Sequence, residues 1–199
     1  MRTTMNVVSI SLVVLACAGG MARAEGADLG VGVGFLPGGD ASVKYQGESA
    51  SASLLTGFAV GADLGFEPRP GVRLAVAGQY QTGLETDNDN GDNISGRLLS
   101  GGLRIEGLKQ VAPGVRMYVY GMPAYSRLLI RDEGSGMTEG ANGFGLGGGA
   151  GSRFDVNPSL TAFVELGYQW ATHRLVIDGP DPRYDVMFFQ LRAGMSLKL

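Results

Sequence analysis

From Met187 to Leu199 every odd position is apolar, and the even positions read Phe, Gln, Arg, Gly, Ser and Lys, with Phe188 the one exception. A period of two over a segment this long describes a β-strand with one face in an apolar medium and the other in a polar one, and it is incompatible with a helix. Leu160 to Trp170 behaves alike, with Leu, Ala, Val, Leu, Tyr and Trp on one side and Thr161, Glu165 and Gln169 on the other. Near the start, Leu29, Val31, Val33 and Phe35 alternate with Asp28, Gly30, Gly32 and Gly34. Five more stretches, roughly 54–66, 72–81, 97–107, 115–126 and 144–155, have strand character. About ten residues is what a tilted strand needs to cross a bilayer, whereas soluble strands usually stop at about five or six.

The connections sort by length. Three are short and carry proline: Glu67 to Gly71, Lys109 to Gly114, and Asn157-Pro158-Ser159. They alternate with four long polar ones at 36–53, 82–96, 127–143 and 171–185. Short turns on one side and long loops on the other is how outer-membrane barrels connect their strands. The pattern predicts an all-β fold, an eight-stranded antiparallel up-and-down transmembrane β-barrel with short periplasmic turns and long extracellular loops.

That topology assigns a direction to each strand. Phe35, Tyr80, Tyr125, Phe144, Tyr168 and Trp170 then fall near the loop-side rim, and Phe66 and Phe154 near the periplasmic rim, as two aromatic girdles. The less apolar phase would place Asp28, Asp63, Glu106, Asp155 and Glu165 in the lumen with Arg73, Arg104, Arg116, Arg153 and Arg192. Charges in a narrow interior must be paired, and arginine suits bidentate pairing with carboxylates. Glycine, 34 of 199 residues, is about twice its average usage. Gly30, Gly32, Gly34, Gly57, Gly61, Gly147, Gly149 and Gly151 share the lumen phase, leaving room for long arginines.

Residues 1–24 have the form of a secretory signal: Arg2, an uncharged apolar stretch from Val7 to Ala18, and Ala22-Arg23-Ala24 at the cleavage positions. The stretch is too short for an anchor across about 30 Å. Cys17, preceded by Val14-Leu15-Ala16, raises lipoprotein processing as an alternative. Residues 25–199 are expected to be the barrel domain. Cleavage after Ala24 removes the single cysteine, and with it disulfides and thiolate chemistry. Taking Arg2 and Arg23 from 16 basic residues leaves 14 against 19 acidic, a net charge of −5. Nucleic-acid binding, which wants a basic face, is not expected.

On these features the chain resembles the small outer-membrane barrels of the OmpA and OmpX type and the wider opacity-protein-like family, over roughly residues 27–199. The resemblance implies mobile surface loops and an adhesive, serum-resistance or structural role. One departure is the ending Ser196-Leu197-Lys198-Leu199, where such barrels commonly end in an aromatic residue. No peptidoglycan-binding domain is expected after the last strand.

Chemical motifs are few. His173 is the single histidine, read as a rim histidine in a loop. Lipid A deacylases of this shape resemble serine hydrolases with the nucleophile two residues after the histidine, where Leu175 stands here. Gly143 to Gly148 spells G-x-G-x-x-G, but inside an alternating strand rather than before a helix, so it reads as lumen glycine. The run Asp87 to Asn93 lacks the calcium-loop glutamate, Leu98 standing at the twelfth position. Asp178 to Pro182 reads as a turn. The expected function is therefore a non-enzymatic outer-membrane barrel, structural or adhesive through its loops, without cofactor or metal. Its partners would be outer-membrane lipid, lipopolysaccharide and a surface ligand or host factor, with the chain a monomer. The alternatives are a lipid-modifying outer-membrane enzyme and a soluble periplasmic lipocalin-like binder, whose apolar face would point inward.

Overall fold

The computed structural model describes residues 26–85, 94–132, 138–174 and 182–199. The signal segment with Cys17, the run Asp87 to Asn93 and most of the turn from Asp178 lie outside the described residues. Ten strands occur among the described residues: β1 (Ala27–Leu36), β2 (Gly39–Tyr45), β3 (Glu48–Leu54), β4 (Gly57–Arg69), β5 (Val72–Glu85), β6 (Ile94–Ala112), β7 (Val115–Asp132), β8 (Thr138–Asn157), β9 (Leu160–Arg174) and β10 (Arg183–Lys198). All pairings are antiparallel, each of β4 to β9 pairs with the next in the chain, and β1 closes the ring against both β4 and β10.

Ten strands build eight walls. β10 pairs with β1 along its inner half, from Asp28↔Lys198 to Phe35↔Leu191, and with β2 along its outer half, from Gly39↔Phe188 to Lys44↔Arg183. β1 with β2, and β3 with β4, are thus two long staves, each briefly interrupted. The first break is at Pro37-Gly38, where proline offers no N–H to a ladder and Gly38 takes φ +136°.

The segment 36–53, expected as a polar loop, is therefore corrected to a β-hairpin that continues the barrel wall. Its tip is Gln46-Gly47, both at positive φ (50° and 87°), the signature of a type I′ hairpin turn. The other three long connections are shorter than the sequence implied, because β5 reaches Glu85, β6 starts at Ile94, β7 reaches Asp132, and β9 reaches Arg174. Ladder hydrogen bonds continue beyond the bilayer, where neither face need be apolar and the alternation fades.

At the opposite end the turns follow proline chemistry. Pro70-Gly71 and Pro113-Gly114 each put proline second and a positive-φ glycine third (84° and 71°), which is the type II pattern. In the third turn Asn157 Oδ1 accepts the Ser159 N–H at 2.9 Å.

The apolar face points outward. Val33 and Val119 are each 64% exposed and Phe58 62%, within a belt that includes Leu29, Val31, Val60, Leu103, Ile105, Leu146, Val164, Leu166, Leu191 and Met195. Soluble monomers rarely present so continuous an apolar surface to water, and a belt of this kind marks a membrane-facing wall. The inward face is polar and charged along most of the barrel, which reverses the arrangement a lipocalin-like binder requires.

Candidate functional site in the barrel lumen

The lumen holds a network of four arginines and four carboxylates, all at most 8% exposed. Arg73 donates Nε to Asp28 Oδ2 at 2.9 Å, Nη2 to Asp28 Oδ1 at 2.5 Å and Nη1 to Glu106 Oε1 at 3.0 Å, and it also pairs with Asp63. Arg104 donates Nε to Glu106 at 2.6 Å and forks onto both oxygens of Glu165 at 3.1 and 2.6 Å. Arg153 reaches both oxygens of Glu106 at 3.1 and 3.0 Å. Arg192 bridges Glu165 at 3.3 Å and Asp63 at 3.5 Å. Tyr118 donates to Glu165 at 2.7 Å and Ser196 to Asp28 at 2.7 Å.

Arg116 and Asp155 lie elsewhere than the lumen interior that the alternation predicted. They sit half-exposed at the periplasmic mouth, where β7 begins and β8 ends, 3.9 Å apart, and Arg116 donates to Glu67 at 2.5 Å. Glu67 reads from the sequence as part of a turn, which hides its role as a partner.

The aromatic filling is likewise not evident from the alternation. Tyr118, Tyr120 and Phe163 point inward, and the Arg104 guanidinium lies 3.7 Å from the Tyr120 ring centre while that of Arg192 lies 5.1 Å from Phe163. One signal is present, since Tyr118 and Tyr120 share the phase of Arg116. Glycines accommodate these groups as well as arginines: a Cβ on Gly65 would stand 2.5 Å from Arg73 Cζ, and one on Gly151 would stand 2.6 Å from the Tyr118 hydroxyl.

Further along the lumen, glutamines pair, Gln79 with Gln190 at 2.8 Å and Gln81 with Gln169 at 3.1 Å. The space left beside Gln79, Arg104, Tyr120 and Gln190 is a cavity of about 20 Å³, room for about one water. Towards the surface an apolar cluster of Leu36, Leu54, Leu84, Leu98, Leu128, Val186 and Phe188 fills the bore.

His173 is a correction to the loop reading. It lies in β9, turned inward and fully buried, with Nε2 2.9 Å from Ser126 Oγ, itself 1% exposed. The odd positions of β9 face inward throughout, and the strand simply outlasts the apolar alternation that ended at Trp170. Both members of this serine–histidine pair are thus buried.

On the outer face the aromatics meet across strands: Phe35 opposes Phe58, Tyr125 opposes Phe144, and Tyr168 opposes Phe189. Tyr80 and Trp170 are also outward and exposed, as is Phe154 near the opposite rim, while Phe66 is half-buried there. Phe58 and Phe189 join the rows although the alternation marks them only as strand residues.

A closed barrel with a lipid-facing belt and a charged, filled bore agrees with sequence comparison, in which the model of the outer membrane protein beta-barrel domain matches residues 10–196. The chain belongs to this outer-membrane β-barrel family. Its location is the outer membrane of a Gram-negative bacterium. No curated protein is detectably similar in sequence. Among solved structures, the barrel resembles Neisserial surface protein A, with 18% identity, 88% of this chain and 100% of the other covered, and a TM-score of 0.61. It also resembles the outer membrane protein OprG from Pseudomonas aeruginosa, at 12% identity, 90% and 98% coverage and a TM-score of 0.59. A major outer membrane protein from Thermus thermophilus matches at 15% identity, 88% and 100% coverage and a TM-score of 0.50. At such identities the likeness is one of fold, which makes this outer-membrane β-barrel a member of the small-barrel class.

Proposed function

We propose that this outer-membrane barrel is a non-enzymatic anchor whose structural or adhesive role lies in the outward extensions, chiefly the β2–β3 hairpin and the ends of β5 to β10. One observation carries this reading: the bore is filled, first by the Arg73–Glu106–Arg104–Glu165 network and then by the apolar cluster around Leu98 and Phe188. A filled bore leaves the surface segments as the part able to meet a partner, and function in this fold usually sits on such segments. The enclosure of Ser126 and His173 supports the non-enzymatic reading. The monomeric state is part of the same proposal.

The test expresses the chain on a non-adherent bacterial host and measures binding to cultured cells and matrix proteins. Replacing residues 39–54 by a two-residue turn should abolish binding while leaving the heat-dependent mobility shift in SDS gels. Reconstituted protein should show no steady ion conductance. Steady conductance, or binding that survives removal of the hairpin and shortening of the other extensions, would overturn the proposal.

A further inference from the structure

Just outside the outer aromatic row, the sheet carries a line of cations facing sideways rather than upward. The register places Arg127 opposite Asn142, Asn142 opposite Arg174, Arg174 opposite Arg183 and Arg183 opposite Lys44, one residue each from β7, β8, β9, β10 and β2. All five lie in the outward phase. Arg127 and Asn142 are each two residues beyond the Tyr125–Phe144 pair, about 6–7 Å further along their strands. Neighbouring strands stand about 4.8 Å apart, so Arg127 and Arg174 flank Asn142 at about 10 Å from one another.

The line divides in two. Lys44 and Arg183 share Asp185, at 3.7 and 3.0 Å, and Arg183 also donates to Thr172 at 3.0 Å. Arg127 and Arg174 form no ion pair among the described residues. The Arg127 guanidinium lies across the backbone of β8 at Gly140, where an added Cβ would stand 3.1 Å from Nη2. Its Nε is buried there without a hydrogen-bond partner, so this guanidinium keeps donor capacity that the described residues do not use. Arg97, exposed on β6, adds a further cation on the same side.

We infer that Arg127, Asn142 and Arg174 form a binding site for the phosphate groups of an outer-leaflet glycolipid, that is, for lipopolysaccharide. Tyr125, Phe144, Tyr168 and Trp170 place the boundary between acyl chains and headgroups just below this line. At that height an outward side chain meets headgroups, and a guanidinium there finds its best partner in a phosphate, which it binds through two parallel N–H donors. The Asn142 amide between the two arginines supplies a neutral donor to the same oxygens. Partial exclusion of water at the interface strengthens such a contact relative to a solvated surface pair. The inference rests on the membrane placement of the barrel and stands apart from the adhesive role.

The experiment adds diphosphorylated lipid A, and separately its dephosphorylated form, to refolded lipid-free protein in neutral detergent and follows binding by native mass spectrometry. The expected result is a stoichiometric complex with the diphosphorylated form, and at least roughly tenfold weaker binding for the dephosphorylated form, given the strength of charge-assisted contacts. The double variant Arg127→Gln/Arg174→Gln should lose about as much, whereas Lys109→Gln at the periplasmic end should bind like the parent. The heat-dependent gel shift reports folding of each variant, and the milder Arg174→Gln serves if the double variant fails it. Equal binding by variant and parent, or of both lipid forms, would overturn the site. Displacement of the lipid by inorganic phosphate at equal concentration would overturn its assignment to a lipid-borne phosphate.

Discussion

Arg73 and Glu106 face each other across the β5–β6 ladder, and their side chains meet at 3.0 Å inside the bore. Glu106 is fully buried and takes hydrogen bonds from Arg73, Arg104 and Arg153. One carboxylate therefore neutralises much of the charge of three strands' arginines, and removing it leaves cations in a space with almost no water. Glu106→Gln is expected to destabilise the barrel by about 3–5 kcal/mol. Urea unfolding in lipid vesicles, followed by tryptophan fluorescence, checks this. A change below about 1 kcal/mol would show that the network does not hold the fold.

Two glycines make a paired prediction. A methyl on Gly65 would collide with the Arg73 guanidinium, whereas one on Gly121 meets nothing within 4 Å. Gly65→Ala should cost about 1–3 kcal/mol by overpacking, and Gly121→Ala should stay within about 0.5 kcal/mol of the parent. The same unfolding measurement ranks them, and the reverse order would refute the packing described for Arg73.

Val33, 64% exposed, discriminates between water and lipid outside the wall. On a soluble surface Val33→Arg would be nearly neutral. Facing hydrocarbon two residues inside the Phe35–Phe58 row, it should cost about 1–3 kcal/mol, between the midplane and interface values. Folding yield into vesicles and unfolding midpoints would both report it.

Ser126 and His173 test the enzymatic alternative. His173→Ala removes a hydrogen bond worth about 1 kcal/mol and opens a buried gap, so modest destabilisation is expected. Lipid A composition in the expressing strain, read by mass spectrometry against a strain lacking the protein, should be unaltered by the variant. A difference between parent and null strain that His173→Ala removes would return the chain to the lipid-modifying class.

Where the bilayer imposes a period of two, the sequence discloses the wall. The alternation from Met187 to Leu199 and the proline turns at Pro70 and Pro113 specify strands, direction and face, while eight of the ten charged residues assigned to the inward phase, Asp28 and Arg192 among them, do meet in the bore. What escapes has physical causes. Tyrosine is amphipathic, so phase alone does not mark Tyr118 and Tyr120 as filling for a polar lumen. Arg116 and Asp155 share the lumen phase yet sit at a mouth, because phase says nothing about depth. His173 and the hairpin lie beyond the apolar belt, where the constraint that makes strands readable no longer acts.

The interruption at Pro37-Gly38 also resets the phase. Four steps from Phe35 to Gly39 oppose only three from Leu191 to Phe188, so β1 buries Leu36 at an even position whereas β2 turns the odd Ala41 inward. A shift of one residue in a ladder normally reverses every side chain along it. Here the extra residue absorbs such a shift, so the hairpin can be lengthened, shortened or exchanged while the seam that closes the membrane wall keeps its alignment. The outer part of the protein is thereby free to diversify without renegotiating the part that must insert.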